Sequence, residues 1–212
     1  SLGIKKENLR YRDHSKEELS FYSKATTDIE YLFPMGWGEL WGIADRTDYD
    51  LGVHIKHSKA DLMYHDQGTN EKYIPYVIEP SVGLDRLLLS IICDAYQKET
   101  LENEEEREVL KIHPFLAPYK IAVLPLVKKF HSEKAREIYQ KLSKTFMCSF
   151  DETQSIGKRY RRQDVIGTPF CITVDDETIN NGTVTIRDRD TMEQITLKLA
   201  EVEEYVREKI TF

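Results

Sequence analysis

Between residues 119 and 210, short apolar runs alternate with amphipathic stretches, and that alternation leaves few folds open. Tyr119–Leu124 reads as a buried strand carrying Ile121 and Val123. His131–Thr145 reads as a helix, because Ala135, Ile138, Tyr139 and Leu142 recur at helical spacing. Phe146–Phe150 is a short strand, and Gln154–Ile166 a helix with its basic residues on the solvent side. Phe170–Val174 and Thr183–Arg187 read as strands joined by a turn at Asn181-Gly182. Met192–Ile210 reads as a closing helix with Ile195, Leu199, Val202 and Val206 on one stripe. The order βαβαββα predicts an α/β domain with a mixed sheet.

The preceding half is less regular and reads as α+β. Ser15-Lys16-Glu17-Glu18 has the form of a capping box and predicts a helix to about Lys24. Trp37–Ala44 reads as a strand threaded with glycines, and glycine within a strand marks close approach of backbone or ligand. Asp45–His57 reads as helix or loop, Ala60–His65 and Lys72–Glu79 as paired strands, and Val82–Gln97 as a long apolar helix. The acidic run at 99–108 and the dipeptides His113-Pro114 and Ala117-Pro118 predict a linker at about 99–117. Residues 1–112 and 113–212 are therefore expected to be two domains. Charge agrees: the first segment holds 14 Lys and Arg against 22 Asp and Glu, the second 16 against 15.

Three cysteines with no C-x-x-C pair argue against a zinc ribbon or a disulfide framework, so a reducing cytoplasm is expected. No apolar run approaches the ~18 residues of a membrane helix. His54, His57 and His65 fit no metal motif with a known mechanism and read as scattered polar histidines.

The chemistry is concentrated in Tyr76–Leu89. A strand ending at Glu79 leads through a turn shaped by Pro80 and Gly83 into a helix with Asp85 and Arg86 in its first turn. Free N–H groups at a helix start suit an anion, and Asp85 suits the dipole. Arg86 opposes it, which points to another task, such as pairing phosphate or stacking on a base. An incidental arginine in a strand–turn–helix is the competing reading. Lys158–Arg162 places four cations and Tyr160 in five residues, a composition suited to single-stranded RNA. A solvated helix face is the alternative there.

Glu79-Pro80-Ser81-Val82-Gly83-Leu84-Asp85-Arg86 resembles motif 3 of the class II aminoacyl-tRNA synthetases, in the form used by the glycine-specific family. Gly36–Leu51 resembles the same family's conserved strand and following helix, and Asp28–Pro34 also fits. Residues 113–212, notably Ile156–Asp164 and Gly182–Arg189, resemble the class IIa anticodon-binding domain. The resemblance covers essentially the whole chain. Motifs 1 and 2 of the class, including its Phe-Arg-x-Glu block, are not found. The chain therefore resembles the C-terminal part of such an enzyme: a partial antiparallel catalytic fold followed by the anticodon domain.

The resemblance implies glycine activation with ATP and Mg²⁺, then transfer to tRNA(Gly), by a cytoplasmic homodimeric parent with no membrane partner. It implies Arg86 and Glu79 as catalytic residues, and a glycine pocket of Glu79, Pro80, Ser81, Val82 and Gly83. Glu39, Leu40, Gly83, Leu84, Asp85 and Arg86 are implied at ATP, with Glu39 holding Mg²⁺. Lys158, Arg159, Arg161, Arg162 and Arg187 are implied at the anticodon. Without the upstream motifs the chain alone is expected to be inactive. A non-catalytic RNA-binding module on the same scaffold is the alternative.

Overall fold

A computed structural model describes residues 2–102 and 104–211; Ser1, Asn103 of the acidic run and the closing Phe212 lie outside them. The chain divides into two compact units, Ile4–Cys93 and a second beginning at Asp94.

The first unit is built on β1 (Leu9–Asp13), β2 (Ala25–Phe33), β3 (Gly36–Asp45), α1 (Tyr49–Ser58), β4 (Tyr64–Asp66), β5 (Glu71–Tyr73), β6 (Ile78–Val82) and α2 (Leu84–Ala95). Its main sheet has the order β1-β2-β3-β6 with every neighbour antiparallel, and β4 and β5 form a separate small hairpin. The pleat gives this sheet two different faces. Tyr31, Phe33 and Leu40 bury on one, with Leu9 and with Leu87 and Cys93 of α2 packed against them. The other carries Arg10, Arg12, Asp28 and Glu30.

Three local expectations are corrected here. Ser15–Lys24 forms turns rather than a helix. Glu18 does accept from the Ser15 N–H at 2.9 Å, but its carboxylate also pairs with Arg12, and the segment has no apolar stripe to bury. Lys72–Glu79 is not one strand: β5 stops at Tyr73 and β6 begins at Ile78, paired to β3. That strand runs on through Pro80 to Val82, because at the sheet edge proline's missing N–H costs no ladder bond.

The second unit opens with a hairpin of β7 (Tyr96–Thr100) and β8 (Glu106–Leu110) where a linker was expected. Glu106 and Glu108 point to solvent while Arg107 and Val109 are buried between them. A period-two strand thus lies inside the acidic run. There follow β9 (Ile121–Pro125), α3 (Lys128–Leu142), β10 (Cys148–Phe150), α4 (Ile156–Ile166), β11 (Phe170–Val174), α5 (Asp176–Asn181), β12 (Thr183–Asp188), β13 (Gln194–Lys198) and α6 (Val202–Lys209). The sheet order is β10-β9-β11-β12-β13, parallel through β10, β9 and β11 and antiparallel beyond. The mixed sheet is as expected, but the order is βαβαβαββα. The Asn181-Gly182 turn is the end of α5, opened by a capping box of Asp175 and Thr178 and closed by left-handed Gly182. The expected closing helix is split: Ile195 and Leu197 stand opposite Ile186 and Val184 as strand β13, and only Val202 and Val206 lie on a helix.

The main core is formed by α3 and α6 residues against Ile121, Val123, Ile172 and Ile186, while Ile156 and Tyr160 of α4 cover Ala122, Leu124 and Cys171 on the opposite face. Gly167 ends α4 at φ +88°, and a Cβ there would stand 3.0 Å from the Leu110 carbonyl oxygen, so only glycine lets β8 approach. Among the described residues no helix is long and apolar enough to cross a membrane.

Candidate functional site

The polar face of the first sheet brings charged residues of four strands together. Arg12, Asp28, Gly42 and Ser81 are successive partners in one row, and Thr26, Ala44 and Glu79 form the next. Directly opposed residues share a face. Arg10 Nε donates to Glu30 at 2.6 Å, and His14 Nε2 lies 2.7 Å from Asp28 Oδ2.

Glu39 and Leu40 sit at a bulge. Glu30 pairs with Glu39 while Ile29 pairs with Trp41, so Leu40 is the extra residue. The bulge sends the Leu40 side chain into the core with Tyr31 and Phe33, so it does not reach a ligand on the polar face. Glu39 stays exposed on that face. A Cβ at Gly42 would be in ordinary contact with two carboxylate oxygens, 3.4 Å from Glu39 Oε1 and 3.5 Å from Asp28 Oδ1. The bare Cα leaves a shallow cradle with a carboxylate on each side.

Glu79 Oε2 accepts from Arg46 Nη1 at 2.7 Å, and Arg46 also donates through Nε to Asp50 at 2.6 Å. Arg46 lies over the Tyr22 ring at 4.1 Å, so it is clamped from three sides. The bonds to Asp50, then Glu79, raise the Arg46 pKa further. Pro80, Ser81 and Val82 are strand residues, Gly83 is the junction, and Leu84, Asp85 and Arg86 form the first turn of α2. All seven are exposed. Arg86 Nη1 donates to the Glu39 carbonyl oxygen, which ties the helix start to the bulge. Among the described residues no group of three or more His, Cys, Asp or Glu side chains converges to hold a metal ion.

In the second unit the five basic residues of the sequence reading separate. Arg159 is only 3% exposed, and it donates to the carbonyl oxygens of Thr153, Gln154, Glu152 and Pro125. It braces the loop before α4, and its side chain does not face solvent as expected. Arg162 is held by Asp151 at 2.8 Å and by Thr153 and Gln154. Lys158, Arg161 and Arg187 line an open groove of about 520 Å³ with Tyr160, Glu105 and Gln194. Arg187 is itself buried: Asp164 fixes it with two hydrogen bonds, and its guanidinium lies 4.9 Å from the Tyr160 ring centroid. Burial pushes the Tyr160 phenol pKa up, against the opposing effect of its 2.5 Å bond to Thr173.

Behind the groove, Arg107 donates to Asp164 at 3.0 Å and to Glu99 at 2.9 Å. Burial opposes the Arg107 charge, but the bonds to Asp164 and then the field of Glu99 outweigh it and raise its pKa. Sequence reasoning missed Asp164, Arg107 and Asp28 as site residues, and marked Gly42 only as one of the strand glycines where backbone or ligand comes close. The alternation of Asp28 and Glu30 along a strand carried a signal; Asp164 and Arg107 are defined by partners far away in the chain.

Residues 120–209 match the anticodon binding domain family. Along its whole length the chain is 62% identical to a glycine–tRNA ligase of Clostridium beijerinckii, of which it covers 46%. It is 63% identical over 209 residues to that of Clostridium acetobutylicum, covering 45%, and 61% identical to that of Geobacillus kaustophilus, covering 46%. The chain spans about half the length of the curated relatives it matches. Residues 120–209 are thus similar to the anticodon binding domain, and the whole chain is similar to about half of a glycine–tRNA ligase.

Proposed function

We propose that the chain is the C-terminal half of a glycine–tRNA ligase, a class II synthetase whose parent acts in the cytoplasm as a homodimer on glycine, ATP and tRNA(Gly). The cradle over Gly42 carries this reading. Two carboxylates flanking a bare Cα suit a small ammonium group, by charge-assisted hydrogen bonds. Glu79 and Ser81 stand on the same face one strand away. A substrate with no side chain has to be selected by excluding a methyl group, and a narrow cradle floored by backbone does this sterically.

Arg86, exposed at the start of α2, is suited to ATP, with Gly83, Leu84 and Asp85 beside it. ATP supplies the phosphoanhydride that activates the glycine carboxylate. Glu39 fits Mg²⁺ as one of the one or two carboxylates this ion takes when phosphates and water complete its shell. Transfer chemistry of this kind rests on positioning and charge stabilisation rather than on a protein nucleophile. The groove of the second unit is the proposed contact for the anticodon loop.

The test is glycine-dependent exchange of pyrophosphate into ATP. The chain alone is expected to give none. Joined to the remaining half of the Clostridium beijerinckii enzyme it should restore exchange, and Glu39→Gln or Glu79→Gln should lower that by at least tenfold. Exchange by the chain alone, or a chimera indifferent to both substitutions, would overturn the reading.

A further inference from the structure

The ring that covers Arg46 is brought in from another part of the first unit. Tyr22 belongs to the turns between β1 and β2. That segment is pinned to the end of β3, where the Lys24 N–H and Ser23 Oγ donate to the Asp45 carbonyl oxygen at 2.9 and 3.3 Å. Asp45 directly precedes Arg46, so the anchor sits next to the residue it covers. The Tyr22 and Tyr49 rings are 6.3 Å apart, and Phe21 meets both edge-on. Burial does not explain a ring cluster that leaves Phe21 84% exposed.

The contacts of Arg46 divide by direction. A guanidinium is planar and donates within its plane. Its Nε and Nη2 edge takes both oxygens of Asp50, at 2.6 and 3.0 Å, and Nη1 takes Glu79 Oε2 at 2.7 Å. The Asp50 pair fixes one edge but leaves the group able to tilt about that edge, which swings Nη1 away from Glu79. The Tyr22 ring, 4.1 Å from the guanidinium carbon, resists that tilt. Glu79 is half-exposed, a setting in which a carboxylate otherwise turns between rotamers. Arg46 holds Oε2, and the direction of Oε1 follows from it.

We infer that Tyr22 is a positioning residue for glycine: stacked on Arg46, it fixes the plane from which Arg46 holds Glu79, and so aims the second Glu79 oxygen at the glycine ammonium group. This rests on Glu79 being an ammonium acceptor of the proposed function. The effect of Tyr22 passes through two other side chains and falls on glycine, not on ATP.

The test uses the ligase assembled from this chain and the remaining half of the Clostridium beijerinckii enzyme, with pyrophosphate exchange followed at varied glycine and varied ATP. Tyr22→Leu fills space without a π face. It should raise the KM for glycine about fivefold, the size of one partly exposed cation–π contact, with kcat and the KM for ATP within about twofold of wild type. Tyr22→Phe keeps the ring and should behave as wild type. In a Glu79→Gln background Tyr22→Leu should add nothing further, because the carboxylate through which it acts is gone. An unchanged KM for glycine in Tyr22→Leu, or a Tyr22→Phe no better than Tyr22→Leu, would overturn the inference while Glu79→Gln still lowers exchange. Equal losses in kcat and in both KM values, the signature of a merely structural residue, would overturn it too. Exchange indifferent to Glu79→Gln would overturn the glycine reading itself, and the inference with it.

Discussion

Asp164 accepts two parallel hydrogen bonds from Arg187, Nη1 to Oδ1 at 2.8 Å and Nη2 to Oδ2 at 3.1 Å, in a site closed to solvent. The same carboxylate takes Arg107 Nε, so one negative charge organises two buried guanidinium groups from β8 and β12. Breaking such a buried pair leaves uncompensated charge. Asp164→Asn is predicted to destabilise the chain by about 3–5 kcal/mol. Urea unfolding measures this; a loss below about 1 kcal/mol, the range of exposed pairs, would contradict the assignment.

Arg159 and Arg161 are two residues apart and do different work. Arg159→Ala removes hydrogen bonds to loop carbonyls and is predicted to cost about 2–3 kcal/mol of stability. Its effect on RNA affinity, measured where the variant is folded, should be small. Arg161→Ala should leave the melting temperature within a degree or two, weaken RNA binding, and lower the salt slope by about one. Parallel melts and binding titrations separate the two; equal effects in both would contradict it.

Acid should weaken the second unit. The hydrogen bond from Lys111, then the charges of Lys111 and Arg107, hold the Glu99 carboxyl below its ordinary range, although burial opposes them. Asp151 is likewise lowered: burial opposes it, but its bonds to Thr153 and to Arg162 prevail. A carboxylate depressed in the folded state contributes stability that is complete above its unfolded pKa and is lost as pH falls through the folded value. The loss therefore falls below about pH 4. Glu99→Gln should flatten the pH dependence of urea midpoints there, followed by circular dichroism, because Trp37 and Trp41 both report the first unit.

The cysteines should react unequally. Burial pushes the Cys171 thiol up to about 12 and Cys148 up to about 11, the latter against a weak opposing bond from Ser143. Cys93 is partly exposed. At pH 8 a thiol reagent should label Cys93 in the native chain and all three cysteines in denaturant. Rapid native labelling of Cys171 would contradict the packing of β11.

The parallel strands β9 and β11 and helices α3 and α4 were legible because their apolar spacing is local and uninterrupted. The sequence hid elements where two periodicities compete or charge masks the pattern. Gln194–Lys198 fits the stripe of a long helix as well as a strand, and its pairing with β12 decides. Glu99–Glu108 reads as solvated because its glutamates outnumber the inward residues, and a distant Asp164 gives Arg107 its place. The motif residues Glu79–Arg86 were visible as a unit, but the cradle was not. It depends on Gly42 lying in register between Asp28 and Ser81, and sheet register is a long-range property. Arg159 shows the reverse error: a basic run was read as one surface, while the helix turns one of its members inward.

The most direct measurement is binding of tRNA(Gly) and a non-cognate tRNA to the wild type and to a Lys158→Ala/Arg161→Ala variant at two salt concentrations. Preference for tRNA(Gly) that survives the higher salt and is lost in the variant is the predicted result. Equal binding of both tRNAs that falls away with salt would contradict it, leaving the groove a generic basic surface.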